Sequence, residues 1–368
     1  MDPTVVAAVI AAAVSGLTLV GTLAAQYLGR RATSRDTKET LEQQREQLDL
    51  TLAEQSKQLD RTLAEQSKQL DLTLAEQSRQ LDQTLAEQRT RTLNERFATA
   101  AGQLGSDQPA AVRLAGVYAM AGLADDWDFS KANQQTCVDV LCAYLRMPYE
   151  PDPGKDSPER LAFRSGREVR HTLIRVIAAH LKEDAAVSWQ GLSLDFNGVV
   201  FDGGDFRGAD FSDSLAVFDN AEFSGGTVRF NRAKFSGDRV FFGGAKFSGG
   251  TVRFELAEFS GGTVSFRGTE LSDGNLDFRR AKFTGSTVNF GNAKFSGGTV
   301  DFDCAKFSGG IVNFPNAEFS GGEVNFDCAE FSGGTVDFRD AGDWSCPPTF
   351  PWTGQPPSRV KLPVAGQL

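Results

Sequence analysis

From Ala221 to Asp340 the chain writes one twelve-residue unit ten times over. Its plainest copy is AKFSGGTVDFDC at Ala293–Cys304, followed at once by AKFSGGIVNFPN, AEFSGGEVNFDC and AEFSGGTVDFRD. Alanine opens nine of the ten units and Thr269 opens the other; the phenylalanine two places on is replaced only at Leu271. Five residues after it comes Val or Leu, and two residues later Phe again. A unit this short cannot bury two aromatic rings alone. Its neighbours must cover them, and that condition produces a solenoid of stacked coils.

Side-chain volume sets the coil length. Two Phe rings per twelve residues do not fit inside a twelve-residue coil at protein packing density. Four sides of 5, 7, 5 and 7 residues, 24 in all, give each ring a side of its own. The charges outside test this reading. The residue between Ala and Phe reads Glu222, Lys246, Glu270, Lys294, Glu318 at a step of 24, and Lys234, Glu258, Lys282, Lys306, Glu330 in the other series. Seven of these eight vertical neighbours have opposite sign, as strands ~4.8 Å apart favour. Stacking at 24 puts Lys294 between Glu270 and Glu318, and Cys304 beneath Cys328. The Gly-Gly pairs read as corner geometry, not as phosphate loops, because no G-x-x-x-x-G-K-[ST] is present and no helix follows them.

Upstream, Phe196, Phe201, Phe206 and Phe211 recur every five residues, and GGDFR (203–207) and GADFS (208–212) are close to A-(D/N)-(L/F)-x-x. This resembles the pentapeptide-repeat family, over Leu194 to Ala341, about 40% of the chain. The resemblance implies a right-handed quadrilateral β-helix with one pentapeptide per side. The twelve-residue section departs from the family pattern by two extra residues in alternate sides. With the N-terminal features below, the chain looks like the membrane-anchored members found in actinobacteria. Some family members mimic duplex DNA with an acidic rod and bind DNA gyrase, so the resemblance also raises, as an alternative, a DNA-mimic binder of DNA gyrase or another DNA-binding protein.

Val5–Leu28 is an uncharged 24-residue apolar run, followed by Arg30, Arg31 and Arg35 and preceded only by Asp2. About 20 such residues span a bilayer. The trailing arginines predict a single-pass cell-membrane anchor, N-terminus out, with the bulk of the chain cytoplasmic. A cleaved secretory signal would carry its basic residues before the apolar run. Leucines at 48, 52, 59, 63, 70, 74, 81 and 85 then repeat at 4 and 7. This eleven-residue period predicts a long helix whose apolar seam runs nearly straight or coils gently right-handed. Its thin stripe suits either a parallel homo-oligomer or a solvated single helix; the anchor, by aligning copies, favours the oligomer.

The expected organisation is therefore a multi-domain α plus β-solenoid protein: transmembrane anchor 1–31, coiled-coil stalk 32–96, helical domain 97–186, pentapeptide-repeat β-helix 187–341 and Pro-rich tail 342–368. In the helical domain, Leu114, Val117, Tyr118 and Ala121 form one apolar face. Val138, Leu141, Cys142 and Leu145 form a second, and Val169, Leu173, Val176, Ile177 and Leu181 a third. His180 lies on that third stripe as a core histidine with partners, and His171 is expected at the surface. Trp344, Phe350 and Trp352 in the tail could fold back over the open end of the rod.

No residue is assigned a catalytic, cofactor-binding or metal role. Cys137 and Cys142 are five apart, outside the usual zinc spacing, and the five cysteines read as reduced cytosolic thiols. The rod contains no histidine to activate a nucleophile. The net charge of −10 opposes direct nucleic-acid binding. The rod holds 22 acidic and 14 basic residues between Leu194 and Asp343, a net −8 that its alternating columns dilute. The expected function is a non-catalytic, membrane-tethered interaction or scaffold protein with an unidentified protein partner, and no enzyme activity or cofactor.

Overall fold

The computed structural model describes residues 35–364 apart from 106, 128, 129, 151, 238 and 239. The expected anchor at 5–28 lies outside these residues. No helix among the described residues is long and apolar enough to cross a membrane.

Helix α1, Arg35–Gln103, runs for 69 residues. It continues uninterrupted because neither Pro nor Gly occurs between Arg35 and Ala101. In the unit that ends at Glu87, the period of eleven recurs in hydrogen bonds. Thr51, Thr62, Thr73 and Thr84 each donate to the carbonyl four residues back, at 2.7–2.9 Å. All eight leucines of the 4–7 series are 45–61% exposed in the single chain.

The unit from Gln88 onward contains three shorter helices, α2 (Ala110–Asp126), α3 (Lys131–Arg146) and α4 (Arg160–His180), and the solenoid. The expected inward faces of α3 and α4 are buried throughout. On α2, Val117 and Ala121 are buried but Tyr118 is 61% exposed. The buried cluster runs without a break from the helices through Trp189 and Leu192 into the solenoid.

The solenoid has about seven turns, and all of its strand pairs are parallel. The column of strands that begins at Ser193–Asp195 continues through Leu215–Val217, Val240–Phe241, Thr263–Ser265, Thr287, Ile311, Thr335–Asp337 and Val360–Lys361. The first step, Ser193 to Leu215, is 22 residues, because that coil has three five-residue sides and one of seven. Later steps are 24, as in Val228↔Val252↔Leu276↔Val300↔Val324. The regular pentads Phe196 to Phe211 therefore make a single coil. Strands of two or three residues alternate with turns, which gives four faces. Two of these faces merge where Lys282–Asn289 and Lys306–Asn313 continue through the corner as eight-residue strands.

Phenylalanine fills the interior as four vertical ladders. Along one of them Phe196, Phe218, Phe242, Phe266, Phe290, Phe314 and Phe338 stack with centroids 4.5–4.9 Å apart. Across the coil the rings meet edge to face, as Phe242 and Phe254 do at 5.9 Å and 85°. Both geometries suit the ring quadrupole. Leu271 breaks one ladder between Phe247 and Phe295.

Both ends of the solenoid are covered, which removes unpaired strand edges. At the first coil, helical side chains replace a neighbouring strand. Gln135 accepts from the Ser193 amide and donates to its carbonyl, both at 2.8 Å. Arg170 donates to the carbonyl of Val200, and Arg167 to that of Asp202. At the other end the chain past residue 341 makes a last, irregular coil. Phe350 stacks on Phe326 at 5.4 Å, Trp344 and Trp352 pack edge-on against Phe319 and Phe331, and Val360 pairs with Val336.

Candidate functional site

Asp202, at the corner after Val200–Phe201, gathers polar side chains from α4 and from the loop before it. The Tyr149 hydroxyl donates to its carboxylate at 2.7 Å, His171 Nε2 lies 2.9 Å away, and Arg167 forms an ion pair at 2.8 Å. Arg170 lies 4.2 Å from the centre of the Tyr149 ring. Arg167, Arg170 and His171 share one side of α4 because their spacing is i, i+3, i+4. Burial pushes the Asp202 carboxyl up, but the hydrogen bonds from His171 and Tyr149 and the charges of His171 and Arg167 outweigh it, and its pKa is lowered. Burial, reinforced by the bond to that carboxylate, raises the Tyr149 phenol well above its ordinary range. His171 is therefore not at the surface as expected: its side chain is 21% exposed and engaged with Asp202. The carboxylate anchors three neighbours, Tyr149, Arg167 and His171, and so works as a lock between α4 and the first coil.

A second cluster closes the C-terminal end of α4. His180 Nδ1 faces the Val176 carbonyl at 2.7 Å and Nε2 faces Asp125 at 3.2 Å. Trp189 donates to the same carboxylate at 3.0 Å and stacks on the imidazole at 4.0 Å. His180 is half-buried and held by partners, in a structural setting.

Cys137 and Cys142 are buried in the α3 core, and burial pushes both thiols up to about 12. They stay protonated and unreactive there. Cys304 and Cys328 occupy successive coils with Cα atoms 4.5 Å apart and are joined as a disulfide. The sequence reading expected all five cysteines reduced; the 24-residue coil brings these two within bonding distance. Among the described residues the one grouping of metal-ligand type is Asp303 with this same pair, whose sulfurs are spent on each other.

The outer charge columns stack in the expected register. Lys294 pairs in register with Glu270 on one side and Glu318 on the other. The single like pair, Lys282 and Lys306, is resolved by divergence: Lys282 turns to Glu258 at 2.8 Å and Lys306 to Glu330 at 3.2 Å. The Gly-Gly corners have a reason that sequence reading missed. A Cβ on Gly297 would lie 2.0 Å from the carbonyl oxygen of Ser272 in the coil below, and one on Gly298 2.1 Å from that of Gly274. Close approach between coils, in addition to turn geometry, excludes a side chain.

The chain matches no family model, no curated protein and no solved structure.

Proposed function

We propose that this is a non-catalytic interaction protein of pentapeptide-repeat type, which presents its solenoid in the cytoplasm from a single-pass membrane anchor at 5–28. The observation that carries the reading is the stacked 24-residue coil. It places its repeated Phe positions in an aromatic interior and turns columns of charged side chains outward at a fixed spacing. Such a surface suits recognition of another macromolecule along its length. The exposed leucine stripe of α1 supports assembly into a homo-oligomer, since repeated apolar side chains on a helix ordinarily find a partner.

Cross-linking in intact membranes followed by mass spectrometry tests the proposal. The expected result is a protein cross-linked to solenoid residues, in material that resists alkaline carbonate extraction. Release by carbonate would remove the anchor, and cross-links confined to α1 would remove the interaction rod. The alternative, a DNA mimic directed at DNA gyrase, draws on the net acidity of the rod. It predicts inhibition of supercoiling by the purified chain, and absence of inhibition would eliminate it.

A further inference from the structure

One cleft runs against the acidity of the chain. It lies between α4 and the solenoid face formed by Gly204–Asp205, Thr227–Arg229 and Thr251–Arg253, and has a volume of about 800 Å³. Six cations line it: Arg175 and Lys182 from the α4 side, and Arg207, Arg229, Arg232 and Arg253 from the coils. Only Asp205 and Glu255 oppose them, so the lining is net +4 in a chain of net −10. Arg207 is held bidentate by Asp205, and Arg175 by Glu168 and Thr172. Glu255 is taken by the Asn231 amide. Among the described residues, Arg229, Arg232 and Lys182 form no ion pair within 4.0 Å. Arg253 reaches Asp277 only at 3.9 Å, and its Nε is buried without a hydrogen-bond partner. Leu256, which also lines the cleft, stands at the left-handed corner position (φ 60°) that Arg232, Arg280 and Asn292 take in their own units.

We infer that this cleft is a docking site for a short acidic peptide segment of a partner protein. Guanidinium groups match carboxylates in planar, two-pronged hydrogen bonds, and clusters of arginine are a recurring means of reading acidic motifs. Arg229 and Arg253 stand on successive coils in register, so the cationic track crosses three coils, on the order of 10 Å at ~4.8 Å per coil. An extended peptide covers that in about three or four residues. Ala178, Ala179 and Leu256 add small apolar contacts for its backbone and Cβ atoms. No aromatic ring lines the cleft on which a nucleic-acid base could stack. Farther along the same face Arg279 is bound to the buried Asp277, and Asp301 and Asp303 follow, so no free cationic track continues for a phosphate backbone. The cleft is also recessed between a helix and a sheet, unlike a surface made to lie on a bilayer.

This inference rests on the interaction-rod reading and names the chemistry of the partner. The test uses the full-length chain in a non-ionic detergent and a fluorescent glutamate-rich peptide, with a lysine-rich peptide, an oligothymidylate and phosphatidylserine vesicles as competing probes. The glutamate peptide should bind with an affinity that falls as salt rises. Arg229→Gln with Arg253→Gln should weaken it by roughly tenfold or more. Lys246→Gln with Lys294→Gln, on another face and equal in charge change, should leave it unaltered. Melting curves verify that both variants are folded, and the lysine peptide should not bind. The assignment is overturned if the glutamate peptide fails to bind, if both double variants weaken it equally, or if only the oligonucleotide or the vesicles bind. It is also overturned if the cleft variant changes self-association in place of peptide binding. If the peptide fails while solenoid cross-links to a partner persist, the cleft falls and the interaction rod stands; loss of both removes the rod as well.

Discussion

At the residue scale, the coil contact leaves no room for a side chain at Gly297 or at its counterparts Gly285, Gly309 and Gly333. Gly297→Ala would force its Cβ, 2.0 Å from the Ser272 carbonyl oxygen, to push two coils apart. Overpacking of this kind costs about 1–3 kcal/mol, and denaturant unfolding should show it as a lower midpoint. Asp301 makes a pH-dependent case. Burial, then the neighbouring charges of Asp277 and Asp303, raise its pKa in the folded chain. A raised folded value means that the charged form opposes folding. The penalty is absent below the unfolded value of about 3.9 and grows as pH rises through the folded one. Asp301→Asn should therefore stabilise at neutral pH by ~0.2–1 kcal/mol, the scale of a like-charge cross-strand pair. The advantage should vanish in melts at about pH 3. A gain that persists in acid would show that charge was not the cause. Neither effect was legible in the sequence. Ser-Gly-Gly-Thr announces a corner, but the carbonyl against which Gly297 or Gly298 sits belongs to a residue 25 or 24 positions away.

At the element scale, the aromatic ladders and the leucine stripe are the two repeated packing surfaces. Leu271 interrupts one ladder between Phe247 and Phe295. Leu271→Phe should complete it and raise stability by about 0.5–1.5 kcal/mol, the value of an added aromatic pair. A lower melting temperature would show that the neighbouring rings have closed into the space. For α1, Leu63→Asp with Leu74→Asp puts charge into the exposed stripe. If the stripe joins copies, sedimentation should show the wild-type chain as an oligomer and the variant as a smaller species. A wild-type monomer would make α1 a solvated single helix. The interiors of α3 and α4 were readable from their 3.6-residue periodicity. Tyr118 was not: its position on the stripe of α2 marks a direction, and only the packed neighbours decide whether anything covers it.

At the scale of the whole solenoid, stacking decides which distant residues become partners. Cys304 and Cys328 close a 24-residue loop. In purified protein under mild oxidation, alkylation after denaturation should label Cys137, Cys142 and Cys346 and spare these two. Labelling of all five cysteines would show that the two sulfurs do not meet across neighbouring coils. The ends of the rod follow the same logic. Gln135 serves the first coil as a strand would, and Trp344, Phe350 and Trp352 cover the last.

The sequence by itself determined the coil. Side-chain volume excludes twelve residues per turn, and charge alternation selects 24; both are local, periodic constraints that every repeat restates. It also determined the course of α1, through an uninterrupted period of eleven. What only the tertiary structure decided lies where different periods meet. The lock of Tyr149, Arg167 and His171 on Asp202 joins a loop, a helix and a coil corner. The cationic cleft joins α4 to three coils. No periodic signal links a helix to the coil face it covers, because its docking angle and register come from packing across the junction, and that packing alone carries Arg175 and Lys182 to the side of Arg229 and Arg253.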